Sequence, residues 1–115
     1  MFKMVWTPEA ARNFRALEEA ALAARANRQT KKQTKSSKVE GLFKQVHEAI
    51  AKLEQNPRHP GLHTHEYNGI PNPYDKNQKV FEAYAQNKTP GAYRIFWCYG
   101  PASQQITILA ITPHP

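Results

Sequence analysis

Residues 92–99 (AYRIFWCY) and 105–111 (QITILAI) are aromatic, β-branched and apolar, and Gly100-Pro101-Ala102-Ser103 turns the chain between them. Runs of that length and composition form strands, and so short a turn makes them antiparallel neighbours. The second run is the more apolar and belongs at the centre of a sheet. This pair constrains the rest of the chain, because an apolar sheet needs amphipathic elements to cover it.

The preceding sequence supplies that cover. Phe2, Met4 and Trp6 alternate and predict a short first strand. Thr7 can cap a helix, Pro8 suits its first position and Glu9 complements its dipole. Ala10, Phe14, Leu17, Ala21 and Ala24 recur at helical steps, which carries that helix to about Arg28. Residues 29–38 (QTKKQTKSSK) either separate two helices or lengthen them as a basic hairpin. Val39, Leu42, Phe43, Val46, Ile50 and Leu53 form the cleanest helical stripe, ended by Asn56-Pro57. Residues 57–73 are irregular, broken by Pro57, Pro60, Gly61, Gly69, Pro71 and Pro73, with a short strand expected around residues 62–67. Residues 80–86 read as a further strand. The expected fold is one α+β domain over residues 1–115, a helical hairpin packed on a twisted antiparallel sheet of about four strands.

A chain of 115 residues has room for one modest core. The only cysteine, Cys98, excludes an internal disulfide and fits a reducing compartment. No signal peptide and no run of about 20 apolar residues is found, so a soluble, cytoplasmic protein without a membrane role is expected. Sixteen Lys and Arg against nine Asp and Glu leave a net charge of +7, which favours polyanionic partners. Arg25, Arg28, Lys31, Lys32, Lys35 and Lys38 form a run of six cations with no acid among them. They are either a solvated connector or a phosphate-contacting patch, since clustered cations gain affinity by releasing condensed counterions.

The segment NPRHPGLHTHEYNG, residues 56–69, concentrates Arg58, His59, His63 and His65. Cations to hold phosphate, imidazoles to move protons and a rigid sheet to fix them are the ingredients of an RNA-cleaving site. His59, His63, His65 and Glu66 read poorly as a metal cluster. His-x-His on a strand offers two co-facial ligands, and no CxxC or HExxH spacing supports more. Cys98 lies among aromatics and reads as packed rather than nucleophilic. Gly61, Gly69, Gly91 and Gly100 open no phosphate-binding helix, so no cofactor is implied.

NPRHPGLHTH, VFEAYAQ, AYRIFWCYG and ITILAITPH, in that order and spacing, together resemble the RelE/ParE superfamily of bacterial toxin–antitoxin toxins. The resemblance spans most of the chain and implies the same α+β fold. For the RelE-like branch it implies metal-independent cleavage of mRNA on the ribosome, by attack of a ribose 2′-hydroxyl on its own 3′-phosphate. Arg94 in AYRIF matches the phosphate-binding arginine. His114 follows the last strand, where similar toxins carry an imidazole. His65 matches the histidine of a TH strand, and His63 lies two residues earlier on the same expected strand face. Arg58 and His59, in the loop before, are placed to clamp RNA.

On its strand Arg94 shares a face with Phe96 and Cys98, opposite Tyr93, Ile95 and Trp97. An arginine in so apolar a run needs solvent, a partner or an acid. Glu82 on the neighbouring strand can pair with it, and can equally orient it for a bidentate grip on phosphate. Two departures from the family pattern are visible. Glu66 stands where a basic residue is common, and Pro115 closely follows His114 where relatives continue. Both favour the alternative of a non-enzymatic, ParE-like gyrase inhibitor, or of a degenerate RNA-binding relative. In every toxin reading the protein partner is a separately encoded antitoxin. The basic run gives a direct test. Replacing Lys31, Lys32, Lys35 and Lys38 together with Ser should weaken ribosome association and flatten its salt dependence in co-sedimentation; unchanged binding would make the segment a connector.

Overall fold

The computed structural model describes residues 1–33, 35 and 37–114. In chain order the elements are β1 (Lys3–Trp6), α1 (Pro8–Thr30), α2 (Lys38–Gln55), a 3-10 turn at Pro60–Leu62, β2 (His65–Glu66), β3 (Phe81–Tyr84), β4 (Tyr93–Tyr99) and β5 (Gln105–Pro113). The strands form one sheet in the order β1-β5-β4-β3-β2. β2 through β5 are antiparallel, as the meander predicts, but β1 joins the far edge parallel to β5. The sheet is therefore mixed and has five strands, one more than the expected four. The parallel pair joins strands far apart in the chain, with both helices and three strands between them, and a parallel pair needs such a crossover rather than a tight turn.

Each helix begins on its own chemistry. The Thr7 hydroxyl accepts from the Ala10 N–H at 3.0 Å, with Pro8 at the first helical position. Ser37 and Glu40 form a reciprocal capping box at the start of α2. The polar stretch interrupts the helices rather than extending them, and Glu40 ties the two together through Arg28 at 2.8 Å. Of the six cations in the run, Arg28 is thus paired with an acid that lies just beyond it.

The sheet's two faces bury different sets. Ile95, Trp97, Ala83, Ile106, Ile108 and Ile111 meet Ala10, Val46, Ala49 and Leu53 from the helices. On the opposite face Phe96, Cys98, Leu109 and Ala110 are covered by Val80, Tyr67 and Ile70 from the irregular segment. A register shift between Phe96 and Trp97 lets β5 carry one extra residue there. Burial of the Cys98 thiol among these groups pushes its pKa up to about 11, which makes it a packed side chain rather than a nucleophile.

The hairpin is longer than the sheet it covers. The 23 residues of α1 span about 35 Å, and the molecule measures 52 × 26 × 25 Å. Residues of α1 beyond Leu17 take no part in the main core cluster. Arg25, Lys31, Lys32, Lys35 and Lys38 are exposed at that projecting end. No helix among the described residues is long and apolar enough to cross a membrane.

The Arg28 guanidinium, with help from the Ser37 backbone N–H, holds the Glu40 carboxyl down at about 2, below its ordinary 4.5. A folded-state value lowered in this way adds stability above the unfolded value, and that contribution is lost as pH falls from about 4.5 toward 2. Glu40→Gln should remove this part of the acid sensitivity. Urea midpoints followed from pH 6 to pH 2.5 should therefore fall less steeply in the variant than in the wild type.

Candidate functional site

β3 lies between β2 and β4, and its register places His65 opposite Glu82, Glu82 opposite Phe96, and Tyr84 opposite Arg94. Directly paired residues share a face, as do residues two apart on one strand. His65, Glu82, Tyr84 and Arg94 therefore all leave the sheet on the side away from the helices. Glu82 is at their centre and its side chain is 1% exposed. Its Oε1 lies 3.0 Å from His65 Nε2 and 3.5 Å from Arg94 Nε, and its Oε2 lies 3.5 Å from His114 Nδ1. A buried carboxylate requires such compensation, because a charge removed from water is costly unless it is paired.

Arg94 is held on several sides. Its Nη1 donates to the Gln86 carbonyl at 2.6 Å and to the Tyr93 carbonyl at 3.3 Å, and its guanidinium stacks 3.6 Å above the centre of the Tyr84 ring. The full fork expected for bidentate phosphate binding is thus not free. Nε, 3.5 Å from Glu82, makes no hydrogen bond among the described residues, and the side chain as a whole is 8% exposed.

The histidines differ in freedom. His65 Nδ1 lies 3.0 Å from the His63 carbonyl and Nε2 faces Glu82, so both ring nitrogens point at acceptors. A neutral ring can donate to only one of them. His63 does not precede His65 on a strand, as the sequence suggests. The 3-10 turn at Pro60–Leu62 ends at His63, whose φ of 48° is left-handed, and the strand begins only at His65. Both rings nevertheless reach Tyr84, His63 at a centroid distance of 5.2 Å and His65 at 5.7 Å. His114 is anchored: its backbone N–H donates to the Ala92 carbonyl at 2.8 Å and continues the β4–β5 ladder. Its half-exposed ring presents Nδ1 to Glu82.

Arg58 and His59 sit apart from this cluster, on the wall of a cleft of about 420 Å³ that His63 and His65 also line. The basic residues at the end of the helical hairpin belong to neither place. Glu66 pairs with Lys79 at 3.7 Å. No group of three or more histidine, cysteine or acidic side chains suited to a metal occurs among the described residues. Tyr84 and Gln86 are part of the cluster yet were not singled out in the sequence. Tyr84 had a signal, since it stands two residues from Glu82 on one strand face, whereas Gln86 lies past the strand and acts through its backbone carbonyl, which no side-chain pattern announces.

No protein-family model and no curated protein sequence matches the chain. Solved structures do. A YoeB/ParE toxin from Agrobacterium tumefaciens superposes with a TM-score of 0.61 at 9% identity, covering 98% of this chain and 99% of that one. A copper-bound mutant toxin from Helicobacter pylori superposes with a TM-score of 0.56 at 14% identity, covering 99% of this chain and 96% of that one. The chain shares the fold of these two toxins. Near-complete coverage on both sides means that the helical hairpin and the sheet correspond as a unit.

In this toxin fold the Glu82 pair is the most exacting contact. Glu82→Gln should leave buried Arg94 without its counter-charge and lower stability by about 3–5 kcal/mol, read from urea unfolding. The double replacement Glu82→Leu with Arg94→Met should cost less than the single change. The reverse order would show that the pair is not the source of the loss.

Proposed function

We propose that the protein is the toxin of a toxin–antitoxin pair and cleaves ribosome-bound mRNA without a metal ion. The observation that carries this reading is the gathering of one buried carboxylate, one arginine, His65 and His114 on a single sheet face, with the His63 ring packed on Tyr84 from the preceding loop. Cleavage by internal transesterification joins the ribose 2′-oxygen to phosphorus and breaks the bond to the 5′-oxygen. It leaves a 2′,3′-cyclic phosphate and a 5′-hydroxyl. One group must accept the 2′-hydroxyl proton, another must give a proton to the departing 5′-oxygen, and a cation must meet the charge that builds on the phosphate.

Arg94 serves as that cation, fixed in place by Tyr84, Gln86 and Glu82. His114 carries one proton transfer through Nε2, with Glu82 orienting the ring at Nδ1. Its 3.5 Å separation from Glu82 is of the kind that tightens when substrate binds. The second transfer falls to His63 or His65. The free position of His63 over Tyr84 favours it, whereas His65, engaged at both nitrogens, acts as a positioning residue. Arg58, His59 and the exposed cations Arg25, Lys31, Lys32, Lys35 and Lys38 contact nucleic acid, the hairpin group reaching ribosomal RNA away from the cut. The antitoxin is a separately encoded protein that covers this face.

A second reading has one observation in its favour. Three sides of Arg94 are already engaged, which suits a binding toxin of the gyrase-inhibiting kind that needs no chemistry. Induced expression with primer extension on cellular mRNA separates the two. New 5′ ends should appear with the wild type and fall by at least about 100-fold with Arg94→Ala and with His114→Ala. Growth arrest with intact mRNA would transfer the case to the binding toxin.

A further inference from the structure

We infer that His59 is a positioning residue, capping the turn that presents His63 and His65 to the Glu82 cluster. The role rests on the ribonuclease reading above and comes in addition to RNA contact. In the 3-10 turn at Pro60–Leu62 the first residue is a proline, which has no N–H, and the Leu62 N–H donates to the His59 carbonyl at 3.0 Å. Between them the Gly61 N–H donates to His59 Nδ1 at 2.9 Å, the part that Ser, Thr, Asp or Asn usually plays at a helix start. A ring nitrogen accepts only while it is unprotonated, so this bond keeps the proton of the neutral ring on Nε2. The ring also comes close to the backbone. A Cβ on Gly61 would stand 3.1 Å from His59 Nδ1 and Cε1, and glycine leaves that room. Lysine in place of His59 could still meet RNA but would offer the turn no acceptor.

What the cap holds in place is a pair of histidines. Leu62 roots the turn in the main core, and the His63 N–H closes it on the Pro60 carbonyl at 3.2 Å. The Thr64 hydroxyl ties the far end to the Pro57 carbonyl, also at 3.2 Å. His63 then takes its left-handed φ of 48°, a conformation that a residue with a Cβ keeps only where its surroundings impose it. That bend carries its ring to 5.2 Å from Tyr84 and its carbonyl to 3.0 Å from His65 Nδ1. The other nitrogen of the same His65 ring, Nε2, is 3.0 Å from Glu82 Oε1. A path of hydrogen bonds and one short turn thus leads from His59 to the buried carboxylate, although His59 itself stands on the cleft wall. Loosening the turn should shift His63 and turn the His65 ring, and small displacements of positioned groups are felt in the chemical step.

Two measurements on the full-length protein test this. In proton–nitrogen NMR spectra of the imidazoles, His59 should show a protonated Nε2 and a bare Nδ1. The His65 ring resonances should shift in His59→Ala and His59→Lys. They should return toward their original positions in His59→Asn, whose amide oxygen can accept from the Gly61 N–H. On mRNA-programmed ribosomes at saturating protein, single-turnover cleavage should slow about tenfold in His59→Ala and His59→Lys and largely recover in His59→Asn. Circular dichroism checks folding, and the contrast of Lys with Asn carries the test should His59→Ala unfold. Fast cleavage by His59→Lys with slow cleavage by His59→Asn would mean that the ring acts on RNA by charge, and the inference fails. His65 resonances unmoved by these changes overturn it even where mRNA cleavage stands. Shifted His65 resonances in a protein that cleaves no mRNA overturn the ribonuclease reading and keep the hold of His59 on His65.

Discussion

A carboxylate buried in the middle of a sheet face organises this molecule's chemistry. Glu82 is 1% exposed, and groups from β2, β4 and the end of β5 converge on it. Each is there because a charge withdrawn from water demands compensation. The demand acts on the architecture as well as on the site. His65 reaches Glu82 only if β2 pairs at its present register, and His114 only if β5 keeps pairing with β4 to its last residues. A slip of one residue in either strand would turn the side chain to the other face and leave the carboxylate uncompensated.

The sheet divides its labour between faces. The helix side is apolar and carries Ile95, Trp97, Val46 and Leu53 in one cluster. The other side carries a smaller apolar cluster under the irregular segment and, next to it, the charged group. Alternation along β4 is what permits this, placing Arg94 and Phe96 on one side and Ile95 and Trp97 on the other. Trp97, on the helix side, closes the core and also lines the cleft that holds Arg58 and His59. The cations are distributed with equal separation. Some line the cleft near the cluster, and others stand at the end of a hairpin that extends well past the core, where a large polyanion can be engaged without touching the site.

Much of the fold was legible in the residues. The β4–β5 pair, both helices and the stop at Asn56-Pro57 follow from periodicity and from caps that act within a few residues of their own position. The ion pair of Arg94 with Glu82 was also within reach, because an arginine in an apolar strand needs an acid nearby. The parallel pairing of β1 with β5 was not legible, since it joins strands separated by both helices and by three other strands. Nor was the neutralisation of Arg28 by Glu40, which a run of like charges conceals until the helices fold back on each other.

By itself the sequence determined which side chains exist to do chemistry and on which strand face most of them stand, because alternation along a strand is a local property of the backbone. Only the tertiary structure decided which of them are free. It engaged both nitrogens of His65, took His63 off the strand through a left-handed turn, left the His114 ring half-exposed beside Glu82, and stacked Arg94 on Tyr84. Those outcomes depend on contacts between segments far apart in the chain, and the freedom of a hydrogen-bonding group is set by its neighbours in space.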